Sequence, residues 1–326
     1  MIPLVPCFLA LFFSTINAET RYIDYIFDRV EITSNIIYGN APNPPFESWS
    51  NLNNYDIDLT MDIYQPVDDT ETKRPVIVFL HSGAFVTGDK KANDMVKLST
   101  QAAQRGFVAV SANYRLGLNV LNNFSGERTV YKAVQDGSAL IRFLREFHQL
   151  YNIDPSKIFV WGSSAGAFIG LHLSYFDRQD RPSSTFEKAS YPDLGCLDCS
   201  GNLYKHDSTP TALISCWGAI GNLDWIDSED GVPVILFHGT KDLVVPYKIG
   251  FPFTFNILLD RVYGSEPINQ KLNQTKIVHE IHIKEGGRHE YWGTLSGMWR
   301  HDGPNRYFNE IQEKSYAFLY PLVVKK

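Results

Sequence analysis

The sequence predicts an α/β protein built on a mostly parallel sheet, and three observations carry that expectation. Short apolar or β-branched runs recur at residues 59–64, 76–80, 107–112, 158–161, 212–217, 234–237 and 277–283. Helical patterns lie between them, so strands alternate with helices, the pattern of βαβ units whose sheet is covered on both faces. The 326 residues are 44% hydrophobic and 20% charged, ample for a large core. In such folds ligands bind beyond the carboxyl ends of the strands.

Taken in order, residues 1–18 hold no charged side chain and a dense apolar stretch around Phe8 to Phe13, and end in Ala18. That pattern reads as a secretory signal, although Lys and Arg are missing from its start. The apolar run is too short to span a bilayer. The expectation is a secreted or periplasmic protein with no membrane span in its mature form. Residues 19–58, polar and rich in Asn and Pro, read as an N-terminal extension, and residues 59–326 as the α/β domain itself. Residues 92–105 read as a helix closed by Gly106. Val130, Ala133, Val134, Gly137, Ile141 and Leu144 repeat at three- and four-residue spacing, one apolar helix face. Residues 176–210, thick with charges, Ser, Pro and Gly, break the rhythm and form an irregular insert and lid candidate.

Charge and cysteine usage exclude several classes. The net charge is −6, with 30 basic residues against 36 acidic and no basic cluster, so nucleic acid is not an expected partner. Cys7 leaves with the signal, and Cys196, Cys199 and Cys216 remain. A Cys196–Cys199 disulfide is expected in an exported chain. Zinc held by both thiolates and His206 would lack a fourth ligand, so no metal is expected. Cys216, in an apolar run, reads as a buried thiol.

The first chemical motif is Gly162-Ser163-Ser164-Ala165-Gly166, between the strand at 158–161 and a helical stretch at 167–173. G-x-S-x-G between strand and helix is a nucleophile elbow: a tight turn lifts the serine Oγ above the sheet, and the flanking glycines let neighbouring elements pass. Ser164 is the candidate nucleophile. Ser163 is off the centre of the glycine pair. The second motif, His81-Ser82-Gly83-Ala84-Phe85, directly follows the strand at 76–80.

From about Leu59 onward the chain resembles the α/β-hydrolase fold esterases and lipases that carry an HGGG-type oxyanion motif. The resemblance rests on that motif and on Asp62-Ile63-Tyr64-Gln65-Pro66, Asn113-Tyr114-Arg115-Leu116, Gln135-Asp136, the Ser164 elbow and His238-Gly239-Thr240-Lys241-Asp242. Ser82 and Ala84 replace two family glycines, but both keep a backbone N–H. The resemblance implies an oxyanion hole from the N–H groups of Gly83, Ala84 and Ala165, each donor contributing about 3 kcal/mol to the transition state. It also implies the chain order Ser, acid, His. Asp242, at the carboxyl end of the strand at 234–237, is the candidate acid. Asp224 and Asp227 precede that strand. His289, past the last strand on a glycine-rich loop, is the candidate base. His81 precedes the nucleophile, and His238 reads as structural.

These residue types define an acyl-transfer mechanism. Neutral His289 takes the Ser164 proton as Oγ attacks a carbonyl, Asp242 fixes the imidazole tautomer, and water then hydrolyses the acyl-enzyme. No cofactor is needed. Because the base must be neutral, activity is expected to fall below about pH 6.5, the ordinary histidine value. Trp217, Trp225 and Trp292 are candidates for lining the substrate site, with core packing as the alternative. The expected substrate is a small-molecule or polysaccharide-linked carboxylic ester, either short-chain acyl or acetyl/feruloyl. The alternatives are a serine peptidase of the same fold and a catalytically inactive, esterase-like binding domain. Asn123-Phe124-Ser125 and Asn273-Gln274-Thr275 are glycosylation sequons, meaningful only in a eukaryotic source.

Overall fold

The computed structural model describes residues 20–43, 56–122, 125–188, 191–253 and 256–325. The signal expected at 1–18 and the first sequon's Asn123 and Phe124 lie outside the described residues. The strands are β1 Val30–Pro42, β2 Asp56–Pro66, β3 Arg74–Leu80, β4 Val108–Ala112, β5 Ile153–Ser163, β6 Ala212–Cys216 and β7 Val234–Gly239. They are followed by β8 Ile249–Gly250, β9 Val262–Tyr263, β10 His279–Lys284, β11 Thr294–Leu295 and β12 Met298–Trp299. The helices are α1 Asn93–Gln104, α2 Ser125–Glu146, α3 Ala165–Tyr175, α4 Ser265–Thr275 and α5 Arg306–Val324.

One eight-stranded sheet in the order β1-β2-β4-β3-β5-β6-β7-β10 organises the molecule. Its first two pairings, β1 with β2 and β2 with β4, are antiparallel, and all later pairings are parallel. Within the central strands alternate side chains serve opposite faces. Val76, Val78 and Leu80 of β3 join Ile158 and Val160 of β5 in a core under α2, α3 and α4. Ile77 and Phe79 join Phe159 and Trp161 in a second core with α1 and α5. Burial on both faces explains why these strands read as near-continuous apolar runs.

The polar stretch expected to be an extension instead supplies β1 from residue 30 onward. It is an edge strand whose side chains are mostly exposed, so it carries no apolar run. The helical turns among the described residues of 176–210 are two short 3₁₀ turns, at Ser183–Thr185 and Leu197–Cys199. They are bonded along α2: Arg128 donates to the Ser184 and Pro192 carbonyls at 2.6 and 2.7 Å, and Gln135 to the Leu194 carbonyl at 2.7 Å. Arg142 donates to the Ser200 carbonyl at 2.9 Å. Cys196 and Cys199 are disulfide-bonded within this segment, while Cys216 is a buried free thiol. His206 bonds Glu146 at 2.7 Å, and no group of three or more side chains able to hold a metal occurs among the described residues.

Candidate active site

Three loops at the carboxyl edge of the parallel sheet converge on Ser164. The serine caps α3 with φ 53° and ψ −112°, a left-handed strain that lifts its side chain off the β5 axis. Both flanking glycines are required by close approach. A Cβ on Gly162 would lie 2.2 Å from the Gly166 carbonyl oxygen, and one on Gly166 would lie 2.1 Å from that of Leu80. The loop after β10 carries His289, and the loop after β7 carries Asp242.

The three side chains form one hydrogen-bonded series. The Ser164 hydroxyl lies 2.8 Å from His289 Nε2, and His289 Nδ1 lies 2.6 Å from Asp242 Oδ2. A carboxylate only accepts, so Nδ1 carries the proton and Nε2 offers its lone pair to the hydroxyl. Asp242 Oδ1 accepts from the Val244 and Val245 N–H groups at 2.8 and 2.9 Å. Burial alone would raise the Asp242 carboxyl. Its contacts with His238 and His289 outweigh that and hold it well below the usual carboxylate range.

The other candidate acids and bases fall elsewhere. His238 is buried, with Nε2 donating to the Val245 carbonyl at 3.1 Å and Nδ1 accepting from the Ser265 hydroxyl at 2.8 Å. It braces the acid loop, 3.5 Å from Asp242 Oδ2. His81 donates from Nδ1 to the Ser82 carbonyl at 2.7 Å and stacks on Tyr114 at 4.2 Å. Burial pushes it down to about 4. Asp224 and Asp227 are exposed on the loop before β7.

Ala84 and Ala165 line the cavity with Ser164, and none of the N–H groups of Gly83, Ala84 and Ala165 donates to another backbone group among the described residues. Gly83, Ala84 and Phe85 take φ values of 122°, 56° and 57°. The loop closes on itself through Val86 and Thr87 N–H bonds to the Gly83 carbonyl, both 3.0 Å. Ala84 thus adopts a glycine-like backbone. Ala165 opens α3, where the helix dipole places positive potential.

Ser164 opens onto a largely apolar cavity of about 430 Å³. Ala84, Phe85, Phe168, Trp225, Leu259 and Val262 contribute to its wall, and Phe176, Pro182 and Leu197 bring in the insert. Of the candidate tryptophans, Trp225 lines this cavity. Trp217 and Trp292 do not: both are fully buried on the other face of the sheet, with ring centroids 4.8 Å apart. Trp217 follows β6 and points toward α1 and α5, donating to Ser163 Oγ at 3.1 Å, so it backs His289 at 6.3 Å rather than lining the cavity. The sequence reading missed Phe85, Phe168 and His172 as lining residues. For the last two the signal was helical phase: 168 and 172 follow Ser164 at four-residue spacing, and so share its face.

An open parallel sheet with a serine elbow and a Ser–His–Asp series at its carboxyl edge defines the α/β-hydrolase fold, and this chain has that fold. Known proteins place it more closely. A family model described as BD-FAE matches residues 61–194. The chain is 34% identical over 118 residues to the neuroligin-like protein glit-1 of Caenorhabditis elegans, covering 35% of this chain and 16% of that protein. It is 28% identical over 173 residues to a probable isoprenylcysteine alpha-carbonyl methylesterase of Oryza sativa subsp. japonica, covering 52% and 35%. The chain thus spans well under half the length of these curated relatives. Among solved structures, the butyrate-bound esterase Est2 of Thermogutta terrifontis superposes with TM-score 0.60 at 20% identity, over 91% of this chain and 96% of that one. Fold and similarity together show an α/β-hydrolase-fold chain that is similar to esterases over part of its length.

Proposed function

We propose that the chain is an exported serine carboxylesterase that hydrolyses carboxylic esters through Ser164, His289 and Asp242. The observation that carries this is the bonded Asp242–His289–Ser164 series opening onto a largely apolar cavity, with the N–H groups of Gly83, Ala84 and Ala165 making no backbone bond among the described residues. His289 accepts the Ser164 proton as Oγ attacks the ester carbonyl, and the resulting imidazolium is stabilised by Asp242. The oxyanion is held by the N–H groups of Gly83, Ala84 and Ala165. The imidazolium returns its proton to the departing alcohol, and water, deprotonated by the same base, releases the acid.

The cavity's apolar wall suits a short to medium acyl or aryl group, within the size range of small-molecule sites. A polysaccharide-linked acetyl or feruloyl ester would place its sugar outside this cavity. Export is supported by residues 1–18 and by the disulfide at Cys196–Cys199.

The test is a panel of 4-nitrophenyl esters from acetate to long acyl chains, plus a ferulate, with Ser164→Ala beside the parent. The expected result is turnover by the parent and a loss of about 10⁴-fold or more in the variant. No turnover by the parent, or equal turnover by both, overturns the reading.

A further inference from the structure

Several polar residues outside the proposed triad line the cavity, among them Glu127, Tyr131, Asn222, Asp260 and Arg261, and His172 stands out from them by its place on the same helix as Ser164. His172 lies two helical turns beyond Ser164 on α3, is only 8% exposed, and lines the cavity. Its Nδ1 lies 2.7 Å from the Phe168 carbonyl oxygen, which can only accept. Nδ1 therefore carries the ring proton, and Nε2 holds a lone pair with no partner among the described residues. The ring is held by Trp225, edge-on at 5.4 Å, and Phe168, stacked at 6.4 Å. Burial pushes His172 down to about 4, against a smaller opposing effect of its bond to Phe168, so the imidazole is neutral at ordinary pH.

The approach to Nε2 is kept open by Gly221, which also lines the cavity. A Cβ there would lie 3.3 Å from the Trp225 ring and 3.6 Å from His172 Nε2. An acceptor set in a largely apolar wall, with no protein partner among the described residues, is positioned to bond a donor carried by a molecule entering the site.

Resting on the esterase reading of the same cavity, we infer that His172 Nε2 is a specificity-determining acceptor for a hydroxyl or N–H donor carried on the substrate. The preferred ester bears a donor at the far end of the group lodged in the cavity. Eight residues of α3 separate His172 from Ser164, about 12 Å of helix rise, and the histidine side chain leans back toward the helix start. That places the donor roughly six to eight atoms from the carbonyl carbon. An alkyl group of the same length would leave Nε2 unsatisfied and displace whatever water it holds.

The test compares kcat/KM for 4-nitrophenyl 6-hydroxyhexanoate and hexanoate, and for the acetates of 1,6-hexanediol and 1-hexanol, so that both the acyl and alcohol sides are probed. The parent is expected to favour the hydroxylated member of one pair by about three- to tenfold, the weight of one neutral hydrogen bond. His172→Phe, which keeps the ring and removes the acceptor, should bring that ratio near one. His172→Gln, which restores an acceptor, should recover part of it. Gly221→Ala should lower the ratio with His172 in place, which guards against a misfolded His172 variant. Calorimetric binding of the same pairs to Ser164→Ala reads the preference without turnover, so absent hydrolysis would overturn the esterase reading while leaving this inference measurable. Equal ratios in parent and His172→Phe for both pairs, or no binding preference in Ser164→Ala, would overturn it.

Discussion

Asp242→Asn discriminates between an aspartate that sets a tautomer and one that only packs. The two carboxylate oxygens serve different partners. Oδ1 accepts from Val244 and Val245 N–H at 2.8 and 2.9 Å, and Oδ2 accepts from His289 Nδ1 at 2.6 Å. An amide of the same shape has one acceptor end and one donor end. If its oxygen faces the two backbone donors, its NH₂ faces His289. If it flips, the NH₂ meets two N–H groups. The flipped form forfeits two backbone hydrogen bonds and the other forfeits one, so at about 1 kcal/mol per bond the unflipped form is favoured. His289 must then offer a lone pair at Nδ1 and hold its proton on Nε2, where it cannot accept from Ser164. The expected loss is about 10⁴-fold in kcat, with little change in KM because Asp242 does not face the substrate. Hydrolysis of 4-nitrophenyl butyrate at pH 8, with circular dichroism and thermal melting on the same samples, reads the effect. A variant within tenfold of the parent, or one that loses activity only by unfolding, would refute the assignment.

Other consequences follow from the same geometry. Gly83→Ala would place a Cβ 2.0 Å from the Thr87 carbonyl oxygen at φ 122°, so the oxyanion loop must open, and kcat is expected to fall about 10²- to 10³-fold in steady-state assays. His81 and His172 are held at about 4 in the fold, whereas unfolded imidazoles titrate near 6.5, so the unfolded chain binds more protons between those values. Melting temperature should therefore fall as pH drops from about 6.5 to 4, with a shallower slope in His172→Phe; a flat profile would contradict the burial of neutral rings. Asp242, held low in the fold, contributes stability that is present above about pH 3.9 and lost as pH falls below it, so the parent should weaken more steeply there than Asp242→Asn. Replacing Cys196 and Cys199 by Ser opens a link between residues three apart, and should cost about 2 kcal/mol of stability by differential scanning calorimetry without changing short-ester turnover.

The central sheet was legible because its strands are buried on both faces, leaving runs such as Val76 to Leu80 with no polar interruption. Several parts of the fold were not read, among them β1, α4 and α5. Most side chains of β1 are exposed, so it lacks both an apolar run and clean alternation, and it looks like an extension. Helix α5 carries Phe308, Ile311, Tyr316, Phe318 and Leu319 toward the core. It lies beyond the last site motif, where a reading guided by chemistry stops. The residues placed in the triad were legible for a different reason: each follows a strand directly, and strand ends can be found without any long-range packing. The tryptophans show where that rule ends. Trp217 directly follows a central strand and Trp292 lies close to His289 in the chain, yet side-chain direction decides which face of the sheet a ring joins. Both rings join the face opposite the cavity.

Helix α3 unites two functions that the surrounding loops keep apart. His289 and Asp242, the proposed base and acid, arrive from the ends of β10 and β7, and Asp242 is held by Val244 and Val245 N–H groups and by His238, itself bonded to Ser265. Part of the cavity wall beside Ser164 comes from α3 itself, in steps of one turn: Ala165 at the proposed oxyanion position, Phe168 next, then His172. A substitution at 168 or 172 reshapes the group lodged beside the nucleophile without touching the residues that position His289. A change in the β7 or β10 loops reaches proton transfer and leaves the wall intact. Selectivity and proton transfer should therefore vary independently in this chain, with α3 and its neighbour Gly221 carrying the first and the two strand-end loops the second.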